Sequence, residues 1–182
     1  MDAAGYTVTT AKGKFVLNRE ELPNTSVSIF LPDFLEDLSE DELNQKFPIS
    51  KRPAIVKSNT EYKAAFIVGA TDVEVPEDLS EEQAVQELFA TQQKTISRLV
   101  PGYQEYGVQS KKIEDHTIIC LEYMSHSVED DLYNIFFLLV HEGKMIYGTF
   151  SNLLEEAREM SLVFLACLNS VQFISDDINE SQ

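Results

Sequence analysis

The segment 132–140, LYNIFFLLV, constrains the fold of this chain more than any other stretch. In an extended strand, successive side chains point to opposite faces of the sheet. Apolar or aromatic side chains fill nearly all positions of both alternate sets: Leu132, Phe136, Leu138 and Val140 on one face, and Tyr133, Ile135, Phe137 and Leu139 on the other. A strand that is apolar on both faces must be covered on both. The sequence therefore predicts a central strand with a layer of structure on each side.

Strand patterns dominate the chain and contain few helical interruptions. In the first half we predict strands at residues 14–17, 26–31, 53–57 and 61–69, with segment 18–25, NREELPNT, as a turn and loop. In the second half we predict strands at 103–112, 116–124, 131–140 and 144–150, with no helix between them. Because parallel strands need crossover connections, four consecutive strands indicate an antiparallel arrangement.

Three helices are predicted from capping-box spacings, in which a small polar residue precedes Glu or Gln by three positions. The first helix spans residues 40–47 and is ended by Pro48, and the second is ended by Pro101-Gly102. The third closes the chain before a polar tail, 175–182, that we expect to be frayed. The spacings are Ser39 with Glu42, Ser80 with Gln83, and Asn152 with Glu155.

Together these elements predict an α+β fold, an α/β/α sandwich around a largely antiparallel sheet, in the order β-β-α-β-β-α-β-β-β-β-α. We expect the two longer helices on one side of the sheet, and the N-terminal strands with the short helix on the other. The length and the 43% apolar content indicate a single domain over residues 1–182, with its core at about 14–173 and flexible termini.

The charge balance restricts the partners. Fourteen basic and 31 acidic residues give a net charge of −17, which repels nucleic-acid phosphates and anionic membranes. The N-terminus has no signal-peptide pattern and no bilayer-spanning run, so we expect a cytoplasmic protein. Cys120 and Cys167 lie in apolar runs and are predicted to be buried free thiols, with a disulfide as the alternative.

No motif assigns a catalytic, cofactor-binding or metal-ligating residue. His116, His126 and His141 lack the spacing of a helical zinc site, and there is no Gly-x-Ser-x-Gly elbow or phosphate-binding loop. His126 with the acidic residues 129–131 is either a metal site or, as we expect, a set of solvated hairpin residues. We therefore expect no cofactor and no enzymatic activity.

Three features remain as candidate contact surfaces. The stretch 46–56, KFPISKRPAIV, carries Lys46, Lys51 and Arg52, which either dock an acidic partner or pair with the chain's own acids. Tyr103 and Tyr106 either pack on the preceding helix or line a ligand groove. The closing helix is apolar around most of its circumference, which fits a half-buried helix or a dimer interface.

The element order and the pattern KFPISKRPAIVKSN resemble the PsbP-like α/β/α sandwich superfamily, in its uncharacterised bacterial branch. The matching positions are Lys46, Phe47, Pro48, Arg52, Pro53, Val56, Ser58 and Asn59. That superfamily includes a Ran-binding nuclear import factor and chaperones for type VI secretion effectors, so the resemblance implies binding and assembly. It implies no active site.

Two functional hypotheses follow. The first is a non-catalytic protein-binding or assembly module, chaperone-like, that acts on a protein partner or as a homodimer. The alternative is a small-molecule-binding protein or cofactor-free enzyme, with a pocket between the sheet and a helix layer.

Overall fold

The computed structural model describes residues 6–47 and 52–174. The described strands and helices follow in chain order: β1 (Tyr6–Thr10), β2 (Gly13–Glu21), β3 (Val27–Pro32), β4 (Glu36–Asp37), α1 (Glu40–Lys46), β5 (Ile55–Asn59), β6 (Ala64–Asp72), α2 (Glu81–Leu99), β7 (Gln104–Ile113), β8 (His116–His126), β9 (Asp131–His141), β10 (Lys144–Leu153), α3 (Ala157–Asn169) and β11 (Gln172–Phe173). The predicted stop at Pro48 and the predicted frayed tail at 175–182 lie outside the described residues.

The large sheet has seven strands in the order β4-β5-β6-β10-β9-β8-β7, and all its pairings are antiparallel. The predicted meander from β7 to β10 is confirmed, and β10 also pairs with β6. As its composition requires, β9 lies inside the sheet between β8 and β10, and its residues 133–140 are buried. The α+β sandwich predicted from the sequence is therefore present.

A second, smaller sheet has the order β1-β2-β3-β11. The prediction that residues 18–25 form a turn and loop was wrong for residues 18–21, because β2 continues through Glu21 and pairs with β3. Its charged side chains do not prevent a strand, since Arg19 and Glu21 are exposed. β1 and the two-residue strands β4 and β11 were not predicted.

The two long helices cover opposite faces of the large sheet, so the prediction that they share one side was wrong. On one face Val85 and Phe89 of α2 pack with Leu121, Phe136 and Leu138. On the other face α3 and the small sheet pack with the remaining side chains of β9. The Phe164 ring of α3 stacks on Phe150 with centroids 4.7 Å apart. This arrangement gives each apolar face of β9 its own cover.

The helix starts are predicted correctly at two of the three capping boxes. Ser39 and Ser80 each accept a backbone hydrogen bond in a complete box. Asn152 is instead buried in β10, and its side-chain amide donates to the Leu153 carbonyl at 2.8 Å. A 3-10 turn separates it from α3, which starts without a side-chain cap. No helix of the described part is long and apolar enough to cross a membrane.

Both cysteines are buried and free, as predicted. Burial raises the pKa of the Cys120 thiol to about 11 and also raises that of Cys167. A buried thiol that stays protonated is a packing residue and not a nucleophile.

Candidate functional site: a groove on the large sheet

A groove of about 680 Å³ lies over β6 and β10, beside the part of the sheet that α2 covers. Ile67, Gly69, Tyr147 and Thr149 form part of its lining, and residues 52–54 border it. We call it the sheet groove. It places the first residues after the sequence stretch KFPISK at the rim of a concave surface.

The register between β6 and β10 puts these side chains on one face. Gly69 lies opposite Tyr147, and Ile67 lies opposite Thr149. Directly opposed residues of an antiparallel pair project from the same face. Along β6 the alternate residues Phe66 and Val68 are fully buried, whereas the groove residues are half-buried. The floor of the sheet groove is thus the outer face of strands whose inner face belongs to the core.

The absence of a side chain at Gly69 makes room for the ring of Tyr147. A β-carbon at Gly69 would lie 3.0 Å from the Tyr147 hydroxyl oxygen and 3.1 Å from the ring carbon that carries it. Tyr147 also packs against the apolar cluster beneath α2. It therefore forms the boundary between the covered and the open parts of this sheet face.

Arg52 is held at the rim by α1. Its guanidinium donates to Glu40 at 3.0 Å and to the Asn44 side-chain oxygen at 2.5 Å. The internal pairing that the sequence left open is thus present for Arg52. Its Nε is buried and has no hydrogen-bond partner among residues 6–47 and 52–174. The side chain keeps a quarter of its surface exposed.

The other two basic candidates differ from Arg52. Lys46 is the last residue of α1 and is exposed. Hydrogen bonds from Ser39 lower the pKa of Glu42, and the charge of Lys46 adds a smaller effect in the same direction. Lys51 lies outside the described residues.

Tyr103 and Tyr106, which were expected either to pack on the preceding helix or to line a groove, lie on different sides of the sheet. Tyr103 packs with Tyr123 at a centroid distance of 5.4 Å in the cluster beneath α2, and its hydroxyl donates to Glu105 at 2.7 Å. Tyr106 is half-exposed and stacks 6.3 Å from Tyr133, which belongs to the core on the α3 side. They do not form one groove.

The histidines form no metal centre within the described ranges, where no group of three or more ligating side chains converges. The exposed His126 contacts Asp131 at 2.5 Å across the turn between β8 and β9, as solvated hairpin residues do. His116 contacts Glu81 at 2.8 Å, and its ring meets that of His141 edge-on at 4.7 Å. Burial, together with the nearby His116, lowers the pKa of His141.

The sequence pointed to Arg52, at the rim of the sheet groove, as a candidate contact residue, but it pointed to none of the residues that form the floor. Segment 64–72, AAFIVGATD, alternates buried with half-buried positions, and Gly69 interrupts the apolar run. A glycine inside a strand often marks a close approach of another group. The sequence contains this glycine signal. Whether Gly69 borders an open groove depends, however, on how much of the sheet α2 covers.

The comparisons with known proteins agree on the fold. No family model matches the chain, and no curated protein matches it. The two helix layers on an antiparallel sheet define the chain as an α+β sandwich protein. More narrowly, the fold is similar to that of three solved proteins, a PsbP protein, a Ran-binding protein and LpqN.

The first of these is the cyanobacterial PsbP, CyanoP, of Synechocystis sp. PCC 6803. It has 12% identity and a TM-score of 0.64, and the match covers 86% of this chain and 92% of that one. The Saccharomyces cerevisiae Ran-binding protein Mog1p has 12% identity, a TM-score of 0.55, and coverage of 87% and 96%. LpqN of Mycobacterium tuberculosis, involved in cell envelope biogenesis, has 11% identity, a TM-score of 0.55, and coverage of 88% and 92%. At such identities the likeness extends to the fold alone.

Proposed function

We propose that this chain is a non-catalytic protein-binding and assembly module that holds a polypeptide segment of its partner in the sheet groove. The observation that carries the proposal is an open concave sheet face beside helix layers that are filled with side chains. Val85 and Phe89 fill the layer beneath α2, and Phe164 fills the layer beneath α3. Space for a ligand therefore lies outside the layers, where a chain segment can reach it.

The lining of the sheet groove suits a polypeptide. Ile67 and Thr149 offer small, half-buried contacts, and Tyr147 offers an aromatic edge with a hydroxyl group. Aromatic and Arg side chains are the types most enriched at protein interfaces. Arg52 provides the polar contact at the rim, with Lys46 and Lys51 as further contacts to acceptor groups of the partner. Among proteins of this fold, Mog1p is described as a Ran-binding protein, which is consistent with such a role.

The alternative of a small-molecule site between the sheet and a helix layer has less support. The cavity between α2 and the connection that precedes it, at Val75 and Leu88, has a volume of about 210 Å³. The cleft between α3 and the small sheet, at Phe30 and Ala166, has a volume of about 320 Å³. Small-molecule sites usually enclose about 300–1,000 Å³. The cytoplasmic location stays a prediction, and LpqN, which has a similar fold, is described as involved in cell envelope biogenesis.

A photo-crosslinking experiment tests the proposal. A benzoylphenylalanine is placed at Thr149 in the sheet groove and, as a matched control, at Val128, which is fully exposed at the turn between β8 and β9. We expect one protein adduct specific to position 149, reduced by Arg52→Ala. Equal adducts from both positions would contradict the proposal. A small molecule that co-purifies in native mass spectra would favour the alternative, and a cross-link to a second copy would identify a homodimer.

A further inference from the structure

A second concave surface lies on the other side of the large sheet, between α3 and the small sheet. It has a volume of about 320 Å³, and we call it the helix cleft. Phe30 and Ala166 supply apolar surface, and Tyr6 is 47% exposed at its border. One turn before Ala166 on α3, Leu162 is 53% exposed. Residues four apart on a helix are neighbours, so the apolar surface continues from the cleft along α3.

Three cations border this apolar surface. Lys111 donates to Asn169 of the cleft at 2.7 Å. Arg19 lies directly opposite Phe30 in the small sheet, so the two side chains share a face, and its Nε donates to Ser28 at 3.2 Å. Arg158 lies one turn before Leu162 on α3 and is exposed.

Seven Lys and Arg side chains of the described residues have no carboxylate partner, and these three are the ones that border the helix cleft; the others are Lys14, Lys46, Lys94 and Arg98. In the described part of the chain, no carboxylate lies within 4.0 Å of Lys111, Arg19 or Arg158. Glu21 shares the strand face of Arg19, but no ion pair joins them. Six other cations do pair with carboxylates: Lys12, Arg52, Lys57, Lys63, Lys112 and Lys144. Carboxylates are abundant on a chain of net charge −17. Cations without a carboxylate partner beside an apolar cleft therefore give the border of that cleft a local positive charge.

We propose that the helix cleft binds an acidic amphipathic segment of a protein partner, with its apolar side chains on Phe30, Ala166 and Leu162 and its carboxylates at Lys111, Arg19 and Arg158. Apolar contact would supply the affinity, while the complementary charges would set orientation and partner choice. The pKa of Lys111 is lowered by burial. A carboxylate beside it would offset that loss of hydration. This surface lies on the opposite side of the large sheet from the sheet groove, so the two surfaces give an assembly module two contacts.

The same charges argue against other occupants. In a two-fold dimer the same patch meets itself, which would bring Arg19, Lys111 and Arg158 together with their own copies. The chain's own acidic residues 175–182 follow Ile174, whose backbone N–H donates to the Ser26 carbonyl. Since Gln172 lies opposite Ser28, the chain there runs away from Phe30.

Fluorescence anisotropy with a designed peptide tests the inference. The probe is a labelled 14-residue peptide with Leu at helical spacing and Glu elsewhere, and its control has Gln in place of every Glu. We expect the acidic peptide to bind at least tenfold more tightly at low salt, with the difference shrinking as salt is added. Lys111→Glu and Leu162→Asp should each weaken binding about tenfold. Lys94→Glu, the same charge change on an exposed position of α2, should leave it unchanged.

Several results would overturn the inference. Equal binding of the two peptides, or equal losses in Lys111→Glu and Lys94→Glu, would show that the charges at the cleft do not select the ligand. Binding that appears only after deletion of residues 175–182 would assign the cleft to the chain's own acidic end. A dimer detected by light scattering and dissociated by Leu162→Asp would assign it to a second copy. An NMR titration that leaves the Lys111 ammonium unchanged by the peptide would also contradict the inference.

Discussion

The ring of Tyr147 on β10 lies against Gly69 on β6, so close that a β-carbon at Gly69 would stand 3.0 Å from the tyrosine hydroxyl oxygen. The two residues are directly opposed in the strand pair. The shape of the sheet groove therefore depends on a glycine that lies more than 70 positions earlier in the chain than its aromatic neighbour.

This contact predicts an energetic coupling between the two positions. Gly69→Ala alone crowds Tyr147 and offsets the benefit of replacing a strand glycine, which is about 0.5–1 kcal/mol. In a Tyr147→Leu background the crowding is relieved, and the same substitution should stabilise the protein. We expect a coupling of about 1 kcal/mol from urea unfolding of the four variants. Additive effects would show that the ring moves aside without cost.

Two other glycines provide a matched pair of tests. A β-carbon at Gly148 would lie 2.6 Å from the Ile67 carbonyl oxygen and 2.8 Å from the Phe137 ring, whereas one at Gly107 would meet nothing within 4 Å. We therefore expect Gly148→Ala to lower the free energy of unfolding by about 1–3 kcal/mol through overpacking. Gly107→Ala should be neutral or slightly stabilising. Equal effects in thermal unfolding would contradict the packing described for β10.

The sequence predicted those elements whose signals are local. The run of apolar residues on both faces of segment 132–140 identified β9, and the boxes at Ser39 and Ser80 identified two helix starts. The spacing of Asn152 and Glu155 did not mark a helix start, because Asn152 still belongs to β10 and pairs there with Tyr133. In β1 the β-branched residues 7–10 are typical of a strand, so this element has a local signal as well. Two-residue strands have no detectable period, so β4 and β11 were beyond sequence patterns.

The candidate site was less predictable than the fold. Arg52 was identified as unusual because a basic residue stood out in an acidic chain. Its neighbours in the sheet groove come from β6 and β10, and the pairing of these strands is set by tertiary contacts. Likewise, the cations of the helix cleft, Arg19 and Lys111, are far apart in sequence. Their shared position follows from how the small sheet and α3 lie on the large sheet.

Charge reversal at Arg52 tests whether its role is internal pairing. Arg52→Glu would place a negative group beside Glu40, with which Arg52 now pairs at 3.0 Å. Because Glu40 is largely exposed, we expect a loss below about 1 kcal/mol, restored by a second change, Glu40→Arg. Lys94→Glu, the same kind of charge reversal at an exposed position of α2, serves as the control. Unchanged stability with loss of the cross-linked partner would show that Arg52 acts in binding and not in pairing.

Thiol labelling tests the burial of the cysteines. At pH 8 the native protein should react very slowly with an aromatic disulfide reagent, because Cys120 and Cys167 are buried and burial raises the pKa of each thiol. Both thiols should react at once in denaturant. Fast labelling of one thiol in the native state would show that its strand or helix opens locally.

The partly buried His141 predicts how stability changes with pH. Burial and the nearby His116 lower the pKa of His141 below its ordinary value of 6.5, although Glu142, Glu81 and Glu114 oppose the shift. The unfolded state then binds more protons than the folded state below about pH 6.5, so the contribution of His141 to stability is complete above that pH and is lost as the pH falls. His141→Phe should therefore gain stability relative to the wild type as the pH is lowered from 7 to 5 in urea unfolding. Glu142→Gln removes a carboxylate 3.9 Å from the ring and should steepen the acid loss. Parallel pH profiles of all three proteins would show that His141 accepts a proton in the folded state as easily as in the unfolded one.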